Sequence, residues 1–322
     1  MNKASFMGPD IIQEGLTAID EHLLVAANSE VAVLHDASEH ILTSGGKRIR
    51  PQMALLAYLA AGGQNLEEVV PIAAAIEMVH TATLVHDDIN DHSLTRRGKA
   101  TVHSVWGRTF ALLTGDYLFT KVYELMAPYG PEYNVVMATA CSRLVEGETL
   151  QAAAAKAGTV DSETYKKIIS LKTASLFEAA ARMGAQLAAD DADLVENLAN
   201  YAYNLGLTFQ IVDDILDIVG DPEEMGKPVG TDLMQGRGVL AVQNNQKSHD
   251  GDGAAVAVVE AVPQDPIERI MAGLRASGAV EIARLQAEKM GQRARRALED
   301  VPSSAARTEL LDLVDLVLSR QK

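Results

Sequence analysis

Two acidic pentapeptides of one design, DDIND at Asp87 to Asp91 and DDILD at Asp213 to Asp217, stand far apart in otherwise apolar, helix-like sequence. A helix advances about 100° per residue, so side chains four apart share a face. Asp87 pairs in this way with Asp91, and Asp213 with Asp217, giving two carboxylate claws. Around the second, Leu205, Leu207, Phe209, Ile211, Val212, Ile215, Leu216, Ile218 and Val219 cover nearly every helical face. That helix should be buried, and a buried carboxylate is costly unless it is paired, hydrogen-bonded or bound to a metal.

An acidic run on a helix is ordinarily a solvated face, which carries mixed polar residues. Within two turns of Asp213 the other non-apolar side chains are few: Asn204, Thr208, Gln210 and Asp221. Hard oxygen donors suit Mg²⁺, which takes one or two carboxylates and completes its octahedron with water and phosphate oxygens. Two such claws facing across a cavity would hold a diphosphate between metal ions.

A diphosphate site also needs cations. GGKRIRP supplies Lys47, Arg48 and Arg50 directly after Gly45-Gly46, where a backbone turn can approach an anion closely. Arginine offers phosphate a planar fork, lysine a point charge. Arg96, Arg97 and Lys99 follow the first claw, His80 lies on the approach to it, and Lys172-Thr173 interrupts an apolar helix. Any one of these alone is an ordinary surface cation or a satisfied core polar group. Together with the claws they outline an anion site.

The elements that must position these groups are helices. Apolar spacing of three and four recurs almost throughout, and alternating strand patterns are scarce, so the fold class is all-α. Asn65 with Glu68 has the spacing of a capping box opening a helix that runs to Asp87, and Asp161 or Ser162 caps another carrying Lys172. Gly62-Gly63 and Ser277-Gly278 read as helix ends. Residues 248–265 break the helical period and read as a surface loop or short insertion.

Composition bounds the rest. No Pro/Gly/Ser-rich linker divides the 322 residues, which favours a single domain over 1–322. A net charge of −16 and only 4% aromatic residues leave neither a basic footprint nor a stacking platform for nucleic acid. The lone Cys141 excludes an intrachain disulfide and a cysteine-rich metal site, and fits a reducing compartment. The start of the chain lacks the apolar core of a signal peptide, and no uncharged apolar run reaches roughly 18 residues. A soluble, cytoplasmic protein without stable membrane insertion is expected.

The set GGKRIRP, EMVHTATLVHDDINDHSLTRRGKATVH, GDYLF at Gly115, KTASLF at Lys172, FQIVDDILD at Phe209 and GKPVGTDL at Gly226 resembles the trans-type, head-to-tail isoprenyl diphosphate synthases in order and spacing. The likeness covers nearly the whole chain. It implies the isoprenoid-synthase fold, an antiparallel helical bundle around a deep central cavity, as a homodimer, with Mg²⁺ as cofactor at three ions per active site. It also implies that an allylic diphosphate ionises and that isopentenyl diphosphate attacks the cation, with no protein nucleophile.

Residue by residue, the resemblance assigns Asp87, Asp91, Asp213 and Asp217 to the metal, with Asp88 and Asp214 as weaker ligands. Arg96, Lys172, Thr173, Gln210 and Lys227 would hold the allylic diphosphate, and Lys47, Arg50, His80 and Arg97 the isopentenyl diphosphate. After GKPVGTDL the family commonly continues Gly-Lys-x-Thr-Leu-Pro. Here Gly236 to Ala241 depart from it, with Arg237 keeping the charge and Val239 losing a hydroxyl.

Product length follows from the residues one turn before Asp87, which are Ala82 and Thr83. Short-chain members often place an aromatic there, so small side chains imply a deeper tunnel and a product of roughly six or more isoprene units. A geranylgeranyl or farnesyl product is the alternative within the family. A terpene cyclase would share the first claw but mixes Asn, Ser/Thr and Glu in its second and needs no GGKRIRP. A non-catalytic subunit of a heteromeric synthase would not need both claws.

Overall fold

The computed structural model describes residues 9–157, 161–219, 272–273 and 275–320. Lys227, Arg237, the GKPVGTDL segment, the Gly236 to Ala241 departure and the 248–265 stretch lie outside them. The chain divides into two compact units interleaved in sequence. Unit 1 holds Met1–Cys141, Leu176–Ala202 and Ala297–Leu311, and unit 2 holds Ser142–Ser175, Tyr203–Arg296 and Asp312–Lys322. The backbone passes from one to the other five times. That interleaving is why no linker composition marks a boundary.

In unit 1, α1 (Pro9–Ala26), α2 (Ala32–Leu42), α3 (Ile49–Ala60) and α4 (Leu66–Asn90) are followed by a minimal hairpin, β1 (Thr95–Arg96) and β2 (Lys99–Ala100). Next come α5 (Val102–Trp106), α6 (Arg108–Met126) and α7 (Pro131–Ala157), whose later part belongs to unit 2. The centre of the unit is α4, which packs on α1, α3 and α6. Ile72, Ala73, Ala74, Ala75, Ile76, Met78, Val79 and Ala82 are all fully buried, so α4 is apolar on every face. By length and composition alone α4 could cross a membrane. Its apolarity is consumed instead by packing within the unit.

The start of α4 corrects the capping-box expectation. Asn65 Oδ1 accepts from the Glu67 N–H, as an N-cap should. Glu68 does not reach back to the Asn65 N–H. Its carboxylate accepts from the Tyr58 hydroxyl at 2.8 Å, and that hydroxyl oxygen accepts from the Asn65 N–H at 3.2 Å. A tyrosine from α3 therefore closes the box, a partner that local sequence cannot reveal. The expected breaks hold: Gly62 follows the end of α3 with φ 101°, and Gly278, with φ 74°, precedes α11 (Ala279–Ala297).

The hairpin is the only sheet among the described residues. Its two turn residues, Arg97 and Gly98, both have positive φ, 51° and 76°, the geometry that lets two residues join antiparallel strands.

Unit 2 contains the later part of α7, α8 (Ser162–Ile169), a π-helical segment at Ser170–Ala174, the part of α10 (Ala192–Val219) from Tyr203, most of α11 and the end of α12 (Ala305–Ser319). Asp161 caps α8 as expected, its Oδ1 accepting from the Thr164 N–H at 2.7 Å. The helix expected to carry Lys172 stops at Ile169, and Lys172 lies in the π segment instead. Gly147 of α7 explains the approach: a Cβ there would lie 2.7 Å from the Lys172 backbone nitrogen. Widened turns of this kind recur at functional sites. Unit 1 also contains α9 (Ser175–Ala188) from Leu176 onward.

Candidate active site

Unit 1 builds the first acidic motif into the end of α4. Asp87 and Asp91 are half-buried and share a face, and Asp91 is the C-cap of the helix. Asp88 points elsewhere. It is 1% exposed, and both its oxygens accept from Arg96 Nε, at 2.9 and 3.0 Å, with Arg96 Nη2 2.8 Å from Oδ1. The middle carboxylate is thus neutralised by Arg96.

This end of α4 is where orphan carbonyls and the negative end of the helix macrodipole accumulate. Carboxylates there are disfavoured, and the last turn carries no basic residue. A cation shared by Asp87 and Asp91 would relieve both effects, so the donor set fits Mg²⁺. Among the described residues no three His, Cys, Asp or Glu side chains group to hold a metal by themselves.

The hairpin carries the cations. Lys99 Nζ donates to the Thr43 carbonyl, and the His40 ring lies 2.7 Å from the Ala100 carbonyl, seating the hairpin on the loop after α2. Arg97 donates to the Gly45 carbonyl. A Cβ on Gly46 would run into the Arg97 guanidinium. The room that Gly46 leaves is therefore taken by Arg97. Arg48, Arg50, Arg96 and Arg97 all act electrostatically on His80 and, after burial, hold its pKa well below 6.5. His80 is a neutral imidazole in an arginine cluster.

The basic residues of GGKRIRP divide. Arg48 is structural: it donates to Asp20 Oδ1 at 2.9 Å, to Glu77 Oε1 at 2.7 Å and to the Leu42 carbonyl at 2.8 Å. Lys47 is exposed, and the Arg50 guanidinium lies 4.9 Å from the Phe177 ring centre, a cation–π contact. Thr83, half-buried, turns its hydroxyl back to the His80 carbonyl at 2.7 Å, whereas Ala82 is fully buried.

Unit 2 treats the second motif in the same way. Asp214, the middle aspartate, is 6% exposed; its Oδ2 accepts from the Tyr165 hydroxyl at 2.7 Å and its Oδ1 from Gln210 Nε2 at 2.9 Å. Asp217 is buried, and Asp213 is half-buried with Arg320 Nη2 3.5 Å from its Oδ1. Thr173 donates to Gln210 Oε1 at 2.9 Å. Lys172 Nζ lies 2.6 Å from Glu148 Oε1 and 2.9 Å from Gln151 Oε1. Tyr165, Glu148, Gln151 and Arg320 escaped sequence reasoning, because their importance rests on contacts across 21 to 107 positions.

Cys141 does no chemistry here: burial pushes its thiol pKa up to about 11. A cavity in unit 1 lined by Tyr133, Arg182, Gln186 and Glu196 includes none of the expected site residues.

An all-α chain with two DDxxD motifs, each served by its own cations, defines a trans-prenyltransferase of the isoprenoid-synthase fold. The family model described as polyprenyl synthetase matches residues 31–263, and the chain belongs to that family. It is 36% identical to the all-trans-nonaprenyl-diphosphate synthase (geranyl-diphosphate specific) of Rhodobacter capsulatus, over 96% of each chain. It is 33% identical to the octaprenyl diphosphate synthase of Escherichia coli, over 97% of this chain and 98% of that one. The crystal structure of a polyprenyl synthase from Caulobacter crescentus, complexed with calcium and isoprenyl diphosphate, superposes with a TM-score of 0.88 at 31% identity over 97% of both chains.

Proposed function

We propose that this protein condenses isopentenyl diphosphate head to tail with an allylic diphosphate, giving an all-trans polyprenyl diphosphate of medium or long chain. The observation that carries the reading is the end of α4, where Asp87 and Asp91 meet the negative helix terminus with no basic residue in that turn. Asp213 and Asp217 are the corresponding claw of unit 2. Mg²⁺ held there, at three ions per site, supplies charge neutralisation for the departing diphosphate. The calcium and isoprenyl diphosphate of the Caulobacter relative support a divalent cation beside this substrate class.

The chain's own groups bind and orient. In unit 2 the allylic diphosphate is assigned to Lys172, Thr173 and Gln210, while in unit 1 Lys47, Arg50, His80 and Arg97 are assigned to isopentenyl diphosphate. The allylic carbon–oxygen bond breaks, the double bond of isopentenyl diphosphate forms the new carbon–carbon bond, and a proton leaves. An apolar surround is needed, because water would quench the cation.

Chain length is supported by the small side chains of Ala82 and Thr83, the latter with its hydroxyl satisfied on the His80 carbonyl. The names of the nonaprenyl and octaprenyl relatives agree with it. A homodimer is supported by Val105, Phe110, Leu112 and Leu113 on α5 and α6, all exposed. The burial of α4 accounts for its apolarity by packing within unit 1 and not by a membrane.

The deciding experiment incubates the pure protein with isopentenyl diphosphate, each allylic primer in turn and Mg²⁺, with products identified by mass spectrometry. Elongation to six or more units is expected, on the size of cavity that small side chains leave open. No elongation with any primer would sink the reading. Cyclic hydrocarbons without consumption of isopentenyl diphosphate would make it a cyclase.

A further inference from the structure

Four side chains of unit 2 form one unbroken hydrogen-bond chain: Tyr165 to Asp214 at 2.7 Å, Gln210 to Asp214 at 2.9 Å, and Thr173 to Gln210 at 2.9 Å. Both Asp214 oxygens meet donors, the pattern of an ionised carboxylate, which can only accept. The direction of the whole chain follows from that. Gln210 must turn its Nε2 toward Asp214, so its Oε1 faces Thr173, and the Thr173 hydroxyl must spend its one proton on that oxygen. What this chain leaves for an anion is the second Gln210 amide proton; the Lys172 ammonium, next to Thr173, is held by Glu148 and Gln151.

Tyr165 anchors the fixed end. It is 5% exposed, and burial first and Asp214 second push its pKa well above 10, so it stays a donor. We propose that Tyr165 is a positioning residue for the allylic diphosphate: by holding Asp214 as an acceptor it fixes the amide orientation of Gln210 and the proton of Thr173. Without the phenol, Asp214 is left short of a donor in a buried place. The carboxylate can then swing, which lets the Gln210 amide turn over and present oxygen where the anion expects a proton. The π segment has a second tie to α10, the 2.8 Å contact between the Ser170 and Tyr203 hydroxyls, so loss of the phenol need not release Lys172 and Thr173.

This inference rests on the proposed role of Gln210 at the allylic diphosphate. The test therefore reads binding apart from turnover, using geranyl S-thiolodiphosphate with Mg²⁺ in calorimetry, with isopentenyl diphosphate as the control ligand. Tyr165→Phe should weaken the thiolodiphosphate about tenfold and raise the KM for allylic substrate to match. Affinity for isopentenyl diphosphate should stay within about twofold. Asp214→Asn, which frees the amide to turn, should reproduce this. In a Gln210→Ala background, Tyr165→Phe should have no further effect on thiolodiphosphate binding. An unchanged affinity, an equal loss for both ligands alongside a lowered Tm, or additive losses in the Gln210→Ala background would each overturn it. A wild-type chain that binds the analogue but elongates nothing would count against the proposed reaction, while the role of Tyr165 is still decided by the variant's binding.

Discussion

Arg96 grips both carboxylate oxygens of Asp88, the middle aspartate of the first acidic motif, at 2.9 and 3.0 Å. In the second motif the middle aspartate, Asp214, is held by Tyr165 and Gln210. In each motif, then, the middle carboxylate is held by side chains of the protein. Asp88→Ala should leave a half-buried guanidinium without its counter-charge and cost about 3–5 kcal/mol of stability, measured by urea denaturation. Asp87→Ala should leave the denaturation midpoint nearly unmoved and lower turnover by about three orders of magnitude or more, as loss of a metal ligand does. The reverse pattern would exchange their roles.

His80 makes stability depend on pH. Burial, then the charges of Arg50, Arg97, Arg96 and Arg48, depress its pKa well below 6.5. Between the folded value and 6.5 the unfolded chain binds the extra proton, so stability falls as pH falls. The contribution is complete above 6.5 and lost as pH drops through the folded value. Wild type should lose stability as pH falls below about 6.5, and His80→Gln should lose less over the same range. Parallel curves would show that His80 titrates alike in both states.

Arg320 stands where it repels a metal. Its Nη2 is 3.5 Å from Asp213 Oδ1, and its guanidinium lies 5.0 Å from the Phe209 ring centre, 14% exposed. Arg320→Met should tighten Mn²⁺ binding by about two- to tenfold, read by electron paramagnetic resonance in the absence of diphosphate. Weaker binding would show that Arg320 supports the site.

Two positions before Asp87 test the product-length reading. Thr83→Phe adds bulk at a half-buried position, whereas Ala82→Phe must force its ring into a fully buried one. Both should shorten the product by mass spectrometry, and Ala82→Phe should also lower the Tm, since overpacking costs about 1–3 kcal/mol. Unchanged product length in both would put the floor elsewhere.

Legibility followed the range of the interaction. The Asp161 cap and the breaks at Gly62 and Gly278 could be read directly, because each depends on residues within a turn or two. Three neighbouring cations of GGKRIRP could not be told apart. Arg48 is consumed by Asp20 and Glu77, from two other helices, while Lys47 is exposed and Arg50 stacks on Phe177. The π segment at Lys172 was equally hidden, since it rests on the close approach of Gly147 from α7.

The sequence by itself determined that the protein is helical, that it carries two carboxylate claws with basic partners, and that it belongs among the prenyl synthases. Periodicity and motif spacing are local, and local patterns survive in a string of letters. Only the tertiary structure decided which aspartate of each motif is spent inside the protein, and that Tyr58, Tyr165, Glu148 and Arg320 take part. A buried charge chooses its partner by what the fold brings within about 3 Å, and sequence separation carries no record of that distance.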